Sequence, residues 1–258
     1  MTIPKLNSDL ASFMDWCRAN KLSLSPTKTC AIQFRRTGVP NSNTQISLNN
    51  TNVPIQDSVK LLGLYLDHDL SWTSHLFHLR QKLASSLYAL NRCKHFLTPP
   101  VLRLMYYGLF YPHLCYGIIL WGSANMTRLK PIIVLQKKAI RAIHHRPPLS
   151  HTSTLFQQAN ILKLSDLHRI ECINMMHRLT NSTLPKNLEE FFPLNNTFHQ
   201  HNTRQALLPH HVPFRTSWFK TCYLYHTKIK WQSVPPQTRD LSWEAVKSWA
   251  RLDSIRDY

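Results

Sequence analysis

An α+β fold is what this sequence predicts: a small antiparallel sheet with one helix at the N-terminus, then a mainly α-helical region and a C-terminal extension. Three observations predict it. Between residues 29 and 66 apolar and polar residues alternate in short runs, the period of a strand with one buried face. From Leu76 onward, leucines and isoleucines recur at spacings of three and four, the period of a helix. The 258 residues, 43% hydrophobic and 10% aromatic, suit one large domain or two small ones.

Taken in order, Lys5 to Asn20 places Leu6, Leu10, Phe13, Met14 and Cys17 along one helical face, and Ser25-Pro26 turns the chain. Thr29 to Arg36 alternates Cys30, Ile32 and Phe34 with Ala31, Gln33 and Arg35, which predicts a strand ended by Gly38-Val39-Pro40-Asn41. Short strands are expected at Gln45 to Leu48 and Val53 to Gln56 around an Asn49-Asn50-Thr51-Asn52 turn, and another at Val59 to Leu66. Such a sheet is too small to stand alone. Leu76, Leu79, Leu83, Leu87 and Leu90 then mark a helix that Thr98-Pro99-Pro100 stops, and another follows from Pro100 to Phe110.

Arg128 to His145 is the clearest helix. At about 100° per residue, Leu129, Ile132, Ile133, Ala139, Ile140 and Ile143 fall on one side, and Lys130, Lys137, Lys138, Arg141 and His145 on the other. A basic stripe opposite an apolar one suits a helix that packs on a core and lays its outer face along phosphates, though a plain solvated face has the same spacing. Leu164 to Thr180 predicts a further helix. Prolines 185, 193, 209 and 213 suggest an irregular connector from about Asn181 to Pro213, with short helices near Ser217 to Lys230 and Trp243 to Ile255. Domain boundaries are accordingly expected at 1–72, 73–181 and 182–258.

The charge is lopsided: 31 Lys and Arg against 13 Asp and Glu, a formal +18. No Asp or Glu occurs between Asp69 and Asp166, while twelve Lys or Arg fall there, and Phe191 to Arg239 is also acid-free. Such a field calls for a polyanionic partner. Six cysteines with no Cys-x2-Cys pair and no secretory segment read as reduced, intracellular thiols. The apolar stretch Tyr106 to Trp121 is interrupted by Pro112 and His113 and is too short to span a bilayer, so buried helical segments are expected there and no membrane.

Three phrases stand in fixed order: Trp16-x3-Asn20-Lys21-Leu22-x-Leu24-x3-Lys28-Thr29, then Lys60-Leu61-Leu62-Gly63-Leu64-Tyr65-Leu66-Asp67, then Leu70-Ser71-Trp72-x2-His75. Together they resemble the end of the palm domain in reverse transcriptases of jockey-like non-LTR retrotransposons. The resemblance continues through Tyr111-Pro112-x3-Tyr116-Gly117-x3-Trp121-Gly122, Leu135-Gln136-x4-Arg141, Thr203-Arg204 and Trp231-x3-Pro235, which look like that family's thumb and C-terminal extension. It implies RNA-directed DNA synthesis in the intact enzyme, an RNA template and DNA primer as partners, and Mg2+ held by paired catalytic aspartates. Those aspartates lie upstream of the first phrase in the family, so the chain is expected to bind no metal and to be inactive alone. The missing palm is then a further partner, and oligomeric state is unspecified.

Within the resemblance, Lys28 matches the lysine thought to face the triphosphate and help protonate departing pyrophosphate, while Leu62 and Gly63 match the primer-grip hairpin. Asp67-x-Asp69 matches the ordinary tail of the palm, and Asp and Ser there favour a turn that starts the next helix. Histidine pairs at 75 and 78, 144 and 145, 199 and 201, and 210 and 211 lack a cysteine pair at zinc spacing and read as structural or surface residues. Interleaved aromatic and basic residues, such as Phe214-Arg215-x2-Trp218-Phe219-Lys220 and Lys228-x-Lys230-Trp231, suit either stacking on unpaired bases or the core of a terminal subdomain. Two other readings remain open, a stand-alone basic helical RNA-binding module and a non-functional remnant of a decayed element.

Overall fold

A computed structural model describes residues 3–25, 27–40, 45–48, 51–198, 206, 208–210, 219 and 222–256. The chain divides into two compact units, residues 1–77 and 78–258.

In the first unit, α1 (Ile3–Ala19) is amphipathic as its spacing requires. Leu6, Leu10 and Met14 pack on a small buried cluster of Ile46, Leu48 and Val53, joined by Leu24, Ala31 and Ile55. Among the described residues short strands follow: β1 (Ala31–Ile32), β2 (Ser47–Leu48), β3 (Thr51–Asn52), β4 (Ile55–Gln56), β5 (Ser58–Leu61) and β6 (Leu64–Asp67). They form three separate two-stranded pairs and not the single antiparallel sheet expected. One pair is parallel, β1 with β4, in the register Ala31↔Ile55. Alternation in a sequence marks extended backbone but does not say which strand it meets.

The expected strand Thr29–Arg36 shows this, since only Ala31 and Ile32 join a ladder. Beyond them the Arg35 backbone N–H donates to the His68 carbonyl at 2.9 Å, and its guanidinium pairs with Asp57. The run Val59–Leu66 is likewise a hairpin rather than one strand: β5 and β6 pair antiparallel, closed by Leu62-Gly63. Both loop residues have positive φ, 46° and 85°, the mirror-image turn whose twist matches that of paired strands. Asn49-Asn50 of the expected turn lies outside the described residues.

The hairpin leads into α2 (Thr73–Cys93) through a carboxylate-rich turn. Asp67 is buried, and its Oδ2 accepts from Ser71 Oγ and from the backbone N–H of Ser74, both at 3.2 Å. That N–H is one of the first-turn donors with no partner inside a helix.

The second unit is helical. α3 (Pro99–Met105) runs through one wide turn, Tyr106–Phe110, into α4 (Tyr111–Cys115). The wide turn has a local cause. Pro112 has no N–H and its ring clashes with the carbonyl one α-turn back, and an i→i+5 turn relieves the clash. α5 (Ile118–Trp121) begins after left-handed Gly117, and α6 (Met126–Ile143) begins at Asn125, whose side chain accepts from the Thr127 N–H at 2.9 Å. α7 (Ser153–Ala159) ends at left-handed Asn160. Next come α8 (Leu164–Thr180), α9 (Lys186–Glu189), α10 (Tyr223–Gln232), α11 (Pro236–Arg239) and α12 (Trp243–Arg256).

α8 is the centre of this unit, packed by α5, α10 and α12. Leu164, Leu167, His168, Ile170, Cys172, Ile173, Met176 and His177 are all buried, which covers more than one side of the helix. The stretch after residue 182 thus contributes core to the same unit. Arg169 ties α8 to α12, pairing with Asp253 at 2.7 Å while its guanidinium lies 5.5 Å from the Trp249 ring centre. Tyr106, Phe110, Leu114, Ile118 and Trp121 are buried among these helices. No helix among the described residues is long and apolar enough to cross a membrane.

Candidate nucleic-acid interface

α6 separates its own residues as the spacing predicts: Leu129, Ile132, Ala139, Ile140 and Ile143 are buried, Ile133 is half-buried, and Lys130, Lys137 and Lys138 are exposed. His145, expected on the same face, is exposed but lies beyond the helix end, where its φ of 51° turns the chain away from helical geometry. Arg141 is half-buried, its Nε donating to the Ser150 carbonyl at 2.8 Å, so it also pins the loop that follows the helix. With no carboxylate anywhere in α6, the outer face is a rigid row of cations suited to a polyanion.

The helix is held in place by Gln136, which is 1% exposed. Its Nε2 donates to Tyr106 Oη at 3.1 Å and to the Leu162 carbonyl at 2.9 Å, and its Oε1 accepts from the Leu164 N–H at 3.0 Å. The last bond satisfies an otherwise unpaired donor at the start of α8. Gln136 therefore joins three segments to the helix that carries the cations. In the neighbouring phrase Tyr116-Gly117-x3-Trp121-Gly122, Gly117 supplies a φ of 64°, and the Trp121 indole donates to the Tyr116 carbonyl at 2.9 Å. At Gly122 a Cβ would stand 2.5 Å from the Ile118 carbonyl oxygen and 2.7 Å from His168 Cδ2.

The remaining nominated residues lie in the first unit. Lys28 is exposed in the turn that leads to β1, its backbone N–H donating to Ser25 O at 3.2 Å. Leu62 is 84% exposed at the tip of the β5–β6 hairpin, with Gly63 beside it. No geometry relates these three residues to α6.

Among the described residues no three His, Cys, Asp or Glu converge. Asp69 accepts from the Ser71 N–H and from Thr37 Oγ1, both at 3.0 Å. Burial by itself would raise its pKa, but these hydrogen bonds and nearby His68 outweigh it and hold the carboxyl below its usual value. With Asp67 it closes the turn into α2.

Among the described residues, His75, His168 and the Lys228-x-Lys230-Trp231 stretch are part of the packing. His75 lies edge-on to Trp72, ring centres 6.3 Å apart. His168 is buried, with its Nε2 3.4 Å from Cys172 Sγ; burial, then His226 and Lys230, push its pKa down to about 4. Lys228 is buried, donates from Nζ to the His210 carbonyl at 2.8 Å and lies over Phe192, while Trp231 is buried beneath Arg239. Both belong to the core and not to a stacking surface. His199, His201, His211, Thr203-Arg204, Phe214 to Trp218 and Lys220 lie outside the described residues. A cleft of about 720 Å3 is lined by Leu179, Phe192, Trp231 and Arg239, and by none of the α6 cations.

The site is thus an exposed, acid-free row of lysines on one helix of a helical unit. The chain is 30% identical over 165 residues to a Pol polyprotein of the type-1 retrotransposable element R1 4 of Nasonia vitripennis, a match over 57% of this chain and 41% of that protein. It is 29% identical over 160 residues to a probable RNA-directed DNA polymerase from transposon BS of Drosophila melanogaster, and 25% identical over 169 residues to the RNA-directed DNA polymerase from mobile element jockey. These matches cover 60% and 62% of the chain and 18% of each relative. The relatives are thus RNA-directed DNA polymerases of non-LTR retrotransposons, in agreement with the jockey-like phrases, and the chain spans less than half the length of each. No family model and no solved structure matches it.

Proposed function

We propose that this chain acts as the C-terminal part of a non-LTR retrotransposon reverse transcriptase, holding RNA template and DNA primer inside the cell, and that it extends no primer by itself. The observation that carries the reading is the outer face of α6, where Lys130, Lys137 and Lys138 are exposed with no acid among them, and exposed His145 follows in the turn after the helix. In this reading residues 1–72 are the end of a palm, 73–181 a thumb and 182–258 a C-terminal extension. Leu62 and Gly63 approach the primer terminus, and Lys28 is an accessory acid facing the triphosphate. Mg2+ belongs to the intact polymerase, whose remaining palm is the partner this chain needs.

The test uses the purified full chain with a labelled RNA-templated DNA primer. Charge reversal at Lys137 and Lys138 to Glu is expected to weaken binding at least tenfold, with the circular dichroism spectrum unchanged, and Mg2+ with nucleotides is expected to yield no extension. Binding unaffected by the double reversal, or metal-dependent extension by the chain alone, would overturn the corresponding half of the reading.

A further inference from the structure

The geometry points to a second nucleic-acid surface, on the outer face of α2, where Tyr88 is a platform for an unpaired base of single-stranded RNA. The inference rests on the proposed function. It concerns a helix whose apolar spacing is plain in the sequence but whose outer face carries no family phrase.

α2 buries Leu79, Leu83, Leu87 and Leu90 along one ridge, and Ser86 Oγ fastens that ridge by donating to the Leu109 carbonyl at 2.9 Å. At about 100° per residue, Tyr88 points directly away from it and is 67% exposed. Among the described residues it makes no hydrogen bond and no ring contact. One turn before it stand Ala84 and Ser85, too small to shield the ring, and one turn after it stands exposed Arg92. Large apolar side chains are usually exposed singly without meaning, so the ring alone would carry nothing.

The charge around the ring selects the occupant. Arg80, Lys82 and Arg92 are exposed on α2, Lys94 follows it, and the helix contains no Asp or Glu. Arg92, one turn on, shares the face of Tyr88, and Arg80 and Lys82 lie on the flanks of a helix with no acid, so that α2 offers a single strand cations for phosphates and an exposed ring for a base. A duplex keeps its bases stacked internally and offers this ring nothing. An apolar or acidic protein partner remains as an outcome of the test.

The experiment measures binding of the full chain to a labelled single-stranded RNA and to a blunt RNA duplex, for Tyr88→Ala, Tyr88→Trp and the parent. Loss of one base–aromatic stack is expected to weaken single-strand binding about 5- to 100-fold in Tyr88→Ala, to leave duplex binding within about twofold, and to be reversed in Tyr88→Trp. A 5-iodouridine-substituted strand should crosslink to the peptide containing Tyr88 on irradiation. Equal single-strand binding by Tyr88→Ala, or crosslinks only elsewhere, would overturn the inference and leave the proposed function standing. Failure of the parent to bind any of these RNAs would overturn both. Tyr88 is mostly exposed and makes no hydrogen bond, so the variants should melt close to the parent.

Discussion

The residues that fix the geometry of the α6 face are mostly uncharged. Gln136 satisfies three buried groups at once, so Gln136→Leu should strand the Leu164 N–H, the Leu162 carbonyl and the Tyr106 hydroxyl together. A loss of about 2–4 kcal/mol is expected in urea unfolding, at the upper end for a single substitution. Gly122→Ala meets a backbone carbonyl that cannot step aside and should cost about 1–3 kcal/mol in the same assay. His168 makes stability depend on pH. Its folded pKa, about 4, lies below its ordinary 6.5, so the unfolded chain binds the extra proton between those values. The neutral ring's contribution is whole above pH 6.5 and falls as pH drops toward 4, by at most about 1.4 kcal/mol per unit. Replacing His168 by Gln should flatten the unfolding free energy across that window. An unchanged slope would mean that the imidazole does not govern it.

At the scale of elements, strong helical periodicity translated directly into structure. Leu164–Thr180 is a helix over its expected span, and α6 differs from Arg128–His145 by two residues at either end because Asn125 caps it upstream. Weak or local signals did not translate. α7 is seven residues long, too short for a period to show, and its only marker is Asn160 in the left-handed cap position. The wide turn at Tyr106–Phe110 follows from Pro112 meeting a helix that continues past it, which local pattern alone does not distinguish from a helix end. Strand partners were legible only around the expected Asn49–Asn52 turn, where β2 pairs antiparallel with β3 although Thr51-Asn52 is strand and not turn, and the parallel β1–β4 pair was unforeseen. The hairpin tip carries a prediction of its own. Leucine in a left-handed position costs about 1 kcal/mol, which asparagine largely avoids, so Leu62→Asn should stabilise the chain by about 0.5–1 kcal/mol. If Leu62 touches the primer, the same variant should bind template–primer more weakly while being more stable, a combination that a purely structural leucine would not give.

Across the whole molecule, charge was the most readable property and position the least. The formal +18 and the acid-free stretches are plain in the sequence, and Lys130, Lys137 and Lys138 are exposed as their spacing predicts, while His145 falls beyond the helix. Lys228 and Trp231 look the same in sequence as a stacking surface and are core, because burial depends on which distant segments cover them, here Phe192 and Arg239. A polyanion held by several lysines must release counterions, so affinity should fall steeply with salt, with a slope close to −0.9 per phosphate contact on a duplex. Removing Lys137 and Lys138 should make that slope shallower by about two contacts.

The most direct measurement is a titration of the full chain with an RNA template carrying a recessed DNA primer, alongside a fully duplex DNA of equal length and heparin, at several salt concentrations. A chain that holds template and primer should prefer the recessed hybrid by at least tenfold at every salt, with the Lys137 and Lys138 variants losing that preference and part of the slope. Equal affinity for the hybrid, the DNA duplex and heparin would contradict it and leave only a basic protein that binds any polyanion.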